Sequence, residues 1–535
     1  MSPQIFIAQI KPTIGALHFN SKKIQAALEE AKKVGAKFVV TPELALTGYP
    51  PLDLLQMPEF LDDVKNEVER LISLTDGITL FLGTPRPNET GIGKPLFNSC
   101  LILKDGKLIG IYDKELLPTY DVFDERRYFE PGTKSPLFTI DGYKFAVTIC
   151  EDIWGEETTP LYHKDPIVAL EGKTIDLAIN LSASPYHLQK SKERIAIGAR
   201  VAKLLHCPFL LCNQVGGNDG LLFDGASFLL DQKGSLKMLL PSFEEEGALA
   251  SFSGPIAPGK PIEEEVFEAL KMGVADYCHK LGFKKVLLGL SGGIDSALVA
   301  AIAAAALGKE NVTGVLLPSR YTSDSSNKDA EVLAKQLGIK TITFPIEEPH
   351  TAFLNLLEPH FVGLPADVTE ENLQTRIRGT LLMALSNKWN ALLLTTGNKS
   401  ELATGYATLY GDMCGALAVI GDLTKAFVYK LSRYLHLPAA ILEKEPTAEL
   451  KHNQKDRDSL PPYDIVDRVV SAYVEEHLPK QEIAKRENVS LEIVEELIRK
   501  IHKNEFKRRQ APPVLRVTSK SFNLGRYFPI VERWR

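Results

Sequence analysis

Cysteine is scarce in this chain. Six occur in 535 residues, at Cys100, Cys150, Cys207, Cys212, Cys278 and Cys414. They are too few and too scattered for a disulfide framework. None forms a C-x-x-C pair, so the usual zinc signature is missing. Long apolar runs are missing too. The longest aliphatic stretch, Ala297 to Leu307, falls well short of the ~20 residues that a bilayer-spanning helix needs. The start, MSPQIFIAQIKPT, lacks the basic and then long apolar sections of a secretory signal. Together these absences lead us to expect a reduced, cytoplasmic protein with no membrane partner. Nor is there a surplus of positive charge. The 62 basic and 68 acidic side chains give a net charge of -6. Proteins that mainly bind nucleic acid ordinarily carry a basic excess, so no nucleic-acid partner is expected.

What is present is ordinary globular composition, with 44% hydrophobic and 24% charged residues. At roughly 150 residues per domain, the length suggests two to four domains. In the first half, short apolar runs alternate with amphipathic stretches. Ile5 to Ile10, Phe38 to Thr41, Ile78 to Gly83, Ser99 to Leu103, Lys107 to Tyr112, Phe145 to Ile149, Leu177 to Leu181 and Phe209 to Cys212 read as strands. Ile24, Ala27, Leu28, Ala31 and Val34 recur at helical spacing. Asp105-Gly106 signals a hairpin, so this half is α/β with some antiparallel pairing.

A seam, SFSGPIAPGKP, runs from Ser251 to Pro261 and places a boundary near residue 260. The expected domains are 1–255 and 262–535. The second half opens with a helix to about Leu281. A strand follows at Val286 to Leu290, then a glycine-rich loop and an alanine-rich helix. Further strands are expected at Val312 to Leu317, Thr341 to Pro345 and Ala391 to Thr396, with helices at Asp329 to Leu337 and Thr375 to Asn387. This is parallel α/β winding. The short basic run Lys507-Arg508-Arg509 reads as a solvated helix end.

The sharpest local signal is Ser291-Gly292-Gly293-Ile294-Asp295-Ser296, between a strand and a helix. Small residues let backbone N–H groups close around phosphate oxygens, and the helix N-terminus adds partial positive charge. Asp295 would repel phosphate unless a cation lies between them, and Mg²⁺ resolves that conflict. The Gly-Lys-Ser/Thr ending of a Walker loop is absent, so this is a different phosphate grip.

This string resembles the signature of ATP pyrophosphatases, which split ATP between its α and β phosphates. Within that group the second half is similar to the NAD synthetases. The likeness rests on Glu371-Asn372-Leu373-Gln374-Thr375-Arg376-Ile377-Arg378, Thr395-Thr396-Gly397-Asn398-Lys399-Ser400-Glu401, Tyr410-Gly411-Asp412 and Gly421-Asp422-Leu423-Thr424-Lys425. Pro446-Thr447-Ala448-Glu449-Leu450 and Asp458-Ser459-Leu460-Pro461-Pro462-Tyr463-Asp464 extend it. The resemblance implies a Rossmann-like α/β ATP-pyrophosphatase domain. It implies that Gly289, Leu290, the six-residue string, Thr396 and Lys425 hold ATP, and that Asn372, Glu401 and Lys520 hold deamido-NAD. Asp295 and Glu401 would hold Mg²⁺. Taken singly, Glu401 also reads as a residue favoured at a helix N-terminus, and Lys425 as an exposed salt-bridge partner.

A second constellation lies in the first half. Glu43, Lys114 and Cys150 each follow an apolar strand, so they can converge at one rim of a sheet. Deprotonated cysteine attacks an amide carbonyl. Glu43 is the candidate base and later proton donor, and Lys114 the candidate oxyanion stabiliser. A lone cysteine at a strand end is otherwise a small core residue. The three together resemble the nitrilase superfamily of carbon–nitrogen hydrolases. That likeness implies an α-β-β-α sandwich, and glutamine held by Tyr120, Ser184 and Lys190. Glu125 reads equally as a second active-site carboxylate or a structural ion pair.

The two halves explain each other, because an adenylated carboxylate needs a nitrogen nucleophile. The whole chain is similar to the glutamine-dependent NAD synthetases. The likeness implies amidation of deamido-NAD with ATP and glutamine through an adenylate, with ammonia passed between sites, and a homo-oligomer. Two competing readings remain open here. One is an ATP pyrophosphatase that modifies tRNA, which should carry a basic surface. The other is a scaffold with an inactive hydrolase half.

Overall fold

The computed structural model describes residues 3–155, 161–452, 454 and 460–534. Contacts divide the chain into two compact units that meet at Lys260 and Pro261. Among the described residues, no helix is long and apolar enough to cross a membrane.

In chain order the first unit begins with β1 (Ile5–Gln9), α1 (Leu17–Lys33), β2 (Phe38–Val40), α2 (Pro58–Ile72), β3 (Thr79–Pro87), β4 (Leu96–Lys104) and β5 (Lys107–Asp113). It continues with β6 (Leu137–Ile140), β7 (Tyr143–Ile149), β8 (Leu177–Ser182), α3 (Lys190–Leu204) and β9 (Phe209–Asn213). It closes with β10 (Val215–Asn218), β11 (Leu221–Asp224), β12 (Phe228–Leu230), β13 (Leu236–Leu239) and β14 (Glu246–Leu249). Two six-stranded sheets result, in the orders β14-β1-β2-β3-β4-β5 and β13-β12-β9-β8-β7-β6. Asp105 and Gly106 join β4 to β5 with φ of 49° and 71°. That is the left-handed pair a two-residue hairpin turn demands.

Alternation along the strands sorts the side chains into layers. Ile5, Ile7, Phe38, Val40 and Phe81 of one sheet bury against Phe145, Val147, Ile149, Ile179 and Leu181 of the other. Phe6, Ala8, Val39, Leu80 and Leu82 point the opposite way, under Ile24, Leu28 and Ala31 of α1 and Val64 and Leu71 of α2. On the far side, Ala146, Ala178, Phe209 and Phe228 meet Ile197, Val201 and Ala202 of α3. The expected α-β-β-α sandwich is therefore the observed fold.

The second unit runs α4 (Ile262–Lys280), β15 (Val286–Gly289), α5 (Ile294–Leu307), β16 (Val312–Leu316), α6 (Asp324–Leu337), β17 (Lys340–Thr343), α7 (Glu347–Leu357) and α8 (Val368–Trp389). Then come β18 (Leu392–Thr395), α9 (Lys399–Thr404), β19 (Leu417–Ala418) and α10 (Lys425–Tyr434). All five strands are parallel, in the order β17-β16-β15-β18-β19. The winding reverses beside β15, the place where open α/β sheets leave a crevice for ligands. This is the expected Rossmann-like architecture. Later helices at Tyr463–Val470, Lys480–Glu487 and Leu491–Lys503 bury Val466, Val469, Ile483, Leu497 and Ile501 with Leu402.

One expectation is corrected. Lys507-Arg508-Arg509 is not a solvated helix end: only Arg509 is exposed. Buried Arg508 donates to the carbonyls of Leu402 at 3.0 Å and Ala403 at 3.1 Å. Lys507 Nζ donates to those of Gly405 at 2.9 Å and Ala407 at 2.8 Å. A six-residue helix such as α9 leaves most of its carbonyls without partners; Arg508 bonds two of them, and Lys507 bonds carbonyls of the segment that follows.

Phe145 is fully buried, with ring centroids 4.9 Å from Phe38 and 5.4 Å from Phe81. Phe145→Ala should cost about 3–5 kcal/mol, read as an earlier denaturant midpoint for unfolding of the first unit in the full chain.

Candidate active sites

Glu43, Lys114 and Cys150 come together at one end of the two sheets of the first unit. Glu43 leaves β2 through Thr41-Pro42, a turn that presses on β3. A Cβ on Gly83 would lie 2.2 Å from the Pro42 carbonyl oxygen, so glycine is required there. Lys114 follows β5 directly and Cys150 follows β7. Lys114 Nζ sits 2.7 Å from Glu43 Oε1 and 2.7 Å from Glu125 Oε1. Asn98 Nδ2 donates to Glu43 Oε1 at 2.8 Å, and the Ala183 amide to Glu43 Oε2 at 3.1 Å. The Tyr49 hydroxyl donates to Glu125 Oε1 at 2.9 Å. Glu125 is thus an ion-pair partner of Lys114, the structural one of its two sequence readings. Its carboxylate belongs to a short turn, Glu125–Arg127.

Burial dominates the electrostatics. It acts to lower the Lys114 pKa, but Glu125 and Glu43 outweigh it and hold the ammonium well above its ordinary value. Burial pushes the Cys150 thiol up, Glu43 adds to this, and Lys114 only partly opposes it. Burial also raises Glu125 from 4.5 to about 7, against the pull of Lys114. The resting site therefore holds a protonated thiol beside a hydrogen-bonded carboxylate and a fixed cation. Cys150 has φ +41°, a left-handed conformation that costs a non-glycine residue roughly 1–2 kcal/mol. Cys150 opens the short turn Cys150–Ile153 that follows β7.

The other residues expected in this half are placed as follows. The Tyr120 hydroxyl donates to Glu151 Oε1 at 2.7 Å, joined there by the Tyr162 hydroxyl at 2.9 Å. The Ser184 amide donates to Asn213 Oδ1 at 2.9 Å. Lys190 opens α3, with Nζ 3.0 Å from Glu193 Oε2 and 4.1 Å above the Trp154 ring. Sequence reasoning missed Asn98, Tyr49, Glu151 and Tyr162. Their contacts span from 11 to 76 positions, so no local pattern announces them.

In the second unit, Gly289, Leu290, Ser291, Gly292 and Gly293 connect β15 to α5, which begins at Ile294. Gly292 has φ +77°, and a Cβ there would lie 2.1 Å from the Ser326 carbonyl oxygen. Ser296 Oγ donates to the Gly293 carbonyl at 3.0 Å and folds the loop onto its helix. The loop borders a cavity of about 970 Å³ whose lining includes Ser291, Asp295, Asn372, Thr396, Glu401 and Lys425. Lys425 is buried rather than exposed. Its Nζ lies 2.5 Å from Asp295 Oδ2 and 3.5 Å from Glu401 Oε1. Asn398 fixes both carboxylates: Nδ2 donates to Asp295 Oδ1 at 2.9 Å, and its amide to Glu401 Oε2 at 3.1 Å. Glu401 also completes a capping box on α9, so its helix-terminal reading holds.

Asn372 Oδ1 accepts from the Thr408 hydroxyl at 2.8 Å. Lys520 does not line the cavity among the residues that do. Its carbonyl accepts from buried Lys399 Nζ at 2.8 Å, and Lys399 pairs with Asp422 at 3.0 Å. Asp458 and Ser459 of the expected motif lie outside the described residues.

The fold and these groups define a class: a carbon–nitrogen hydrolase unit joined to an α/β unit that grips a nucleotide. Family comparison agrees. Residues 5–253 match the carbon-nitrogen hydrolase family and residues 266–511 match NAD synthase. The glutamine-dependent NAD(+) synthetase of Synechocystis sp. is 46% identical over 549 residues, covering 99% of this chain and 98% of its own. That of Thermotoga maritima is 41% identical over 582 residues, covering 99% of each. The solved glutamine-dependent NAD+ synthetase of Acinetobacter baumannii, in complex with adenosine diphosphate, is 38% identical with a TM-score of 0.78 and covers 100% of this chain and 99% of its own. The chain belongs to the glutamine-dependent NAD(+) synthetase family.

The raised Glu125 has a consequence for stability. Its folded form binds a proton that the unfolded chain has already released between pH 4.5 and about 7. The stability it contributes is full below about 4.5 and is lost as pH rises through about 7. Glu125→Gln should flatten the slope of Tm against pH in that window.

Proposed function

We propose that this chain is a glutamine-dependent NAD synthetase in which residues 1–255 release ammonia from glutamine and residues 262–535 use it to amidate deamido-NAD. The observation that carries this is the joint presence of the Glu43–Lys114–Cys150 cluster and a glycine loop facing two carboxylates and a lysine. In the first unit Glu43 takes the thiol proton as the Cys150 sulfur bonds to the glutamine amide carbon. The amide oxygen gains negative charge beside Lys114. The C–N bond then breaks, and ammonia leaves with the proton returned by Glu43. Water hydrolyses the thioester to glutamate, again with Glu43 as base. Tyr120, Ser184 and Lys190 are read as holding the glutamine.

In the second unit the nicotinate carboxylate attacks the α-phosphorus of ATP, pyrophosphate leaves, and ammonia displaces AMP from the adenylate to give NAD. Residues 289–296 and Thr396 hold ATP; Asn372, Glu401 and Lys520 hold deamido-NAD. Lys425 balances charge on the phosphoryl oxygens. Asp295 and Glu401 both line the cavity and flank the Lys425 ammonium, a donor pair that fits Mg²⁺, an ion that takes one or two carboxylates with substrate phosphates. Bound there, it would neutralise the repulsion between the two anionic substrates. The free thiols and absence of disulfides among the described residues support a cytoplasmic setting. Exposed Leu108, Ile109 and Ile111 on the edge strand β5 support a homo-oligomer, since exposed apolar edges ordinarily find partners.

Two variants test the division of labour. Cys150→Ala should lower glutamine-driven NAD formation by about 10³-fold or more and spare the ammonia-driven rate. Asp295→Ala should abolish both. Full glutamine activity in the first variant, or turnover in the second, would overturn the assignment of that half.

A further inference from the structure

Asp152 lies two residues beyond Cys150 and is fully buried. Its carboxylate is a four-way junction. Oδ2 accepts from the Ile149 amide at 2.9 Å and the Tyr112 hydroxyl at 2.8 Å. Oδ1 accepts from the amides of Glu115 at 3.0 Å and Leu116 at 2.8 Å. Ile149 is the last residue before the left-handed Cys150, while Glu115 and Leu116 directly follow Lys114. The two segments belong to different sheets, since β7 carries Cys150 and β5 leads to Lys114. Cross-strand hydrogen bonding therefore does not fix their separation. One carboxylate spans that gap, and it also closes the turn that holds the nucleophile at positive φ.

We propose that Asp152 is a positioning residue of the amidase reaction, setting the Cys150 sulfur against Glu43 and Lys114 by tying the nucleophile turn to the lysine segment. This rests on the function proposed above. No atom of Asp152 needs to touch glutamine, so its influence falls on the chemical step and not on substrate binding. The chemistry of the junction makes the acid irreplaceable by its amide. Three of its four partners are backbone amides, which can only donate. In Asp152→Asn the new NH₂ group faces at least one of them whichever way it turns, and only the Tyr112 hydroxyl could accept from it.

The test uses the full-length chain with both nitrogen donors. Asp152→Asn should lower kcat with glutamine by about 10²-fold, the loss that a misplacement of order 1 Å produces. KM for glutamine should stay within about twofold, and the ammonia-driven rate should be unchanged. Alkylation of Cys150 by iodoacetamide should slow in parallel, because the thiol has moved from its base. Tyr112→Phe removes one donor of four and keeps the fold, so it should show a smaller fall in kcat, again without a change in KM. A glutamine kcat within twofold of the parent in Asp152→Asn would overturn the proposal. So would a loss expressed wholly as a raised KM, which would make Asp152 a substrate contact. Should Asp152→Asn fail to fold, a parental kcat in Tyr112→Phe would overturn it. The Cys150→Ala variant separates this outcome from failure of the amidase reading itself, because only that failure leaves glutamine turnover without the thiol.

Discussion

Between two sheets of apolar side chains, a single ammonium faces two carboxylates and a thiol. Lys114, Glu43 and Glu125 are all nearly inaccessible to water, so their charges interact with little screening. One cation balances one anion. If both carboxylates and the thiol ionised, three negative charges would share Lys114 in a dry space. The site resolves this by keeping protons: the thiol stays protonated and Glu125 titrates near 7. In the proposed reaction, nucleophilic attack therefore has to transfer a proton as the C–S bond forms, to the Glu43 carboxylate that Lys114 holds in place. Removing the ammonium would leave two buried carboxylates uncompensated, an arrangement that costs several kcal/mol. Under the proposed reaction, fold stability and catalysis thus depend on the same lysine.

Most of the scaffold was legible because its forces are local. A nearly unbroken apolar run such as Ile5–Gln9 or Phe145–Ile149 reports a strand buried on both faces, and the residue that follows such a strand sits at a sheet end. That is why Glu43, Lys114 and Cys150 could be picked out together. Ser291 to Ser296 was legible for a similar reason, since a strand, small residues and a helix fall in one short string. What escaped notice is held by distant contacts. Glu125 sits on a short turn without periodicity, and its two readings could be separated only by seeing Lys114 against it. Lys507 and Arg508 look like surface charge until the carbonyls of α9 and of the segment that follows it are seen beside them. The helix Glu347–Leu357 has only His350 among its buried residues, so its apolar pattern carried little signal. Asp152 reaches partners 36 and 37 positions back along the chain, and nothing in Cys150-Glu151-Asp152 hints at them.

Each unit sets a lysine between two carboxylates, and the difference between the two sets follows from water. Lys114 and its partners are sealed, so their pairing is a permanent part of the fold. Lys425 is also buried, but Asp295 and Glu401 keep 18% and 17% of their side-chain surface exposed and face an open cavity. A carboxylate in that position can exchange a lysine for another cation at small desolvation cost. The first arrangement suits a reaction whose charges stay with the protein. The second suits one in which a highly charged nucleotide enters and leaves.

The placement of the amidase residues also bears on the nitrogen they release. Ammonia is a nucleophile only while unprotonated, and at neutral pH water converts most of it to ammonium. In the proposed reaction Glu43 delivers one proton to the leaving nitrogen, enough to form ammonia. The neighbouring cation, Lys114, cannot readily deliver a second, because two carboxylates hold its pKa well above the ordinary value. The thiol's own proton is the one that Glu43 passes on, so the acylated cysteine has none left to give. In the proposed reaction the proton that leaves the Cys150 thiol is therefore the one that completes ammonia, the form the adenylate requires.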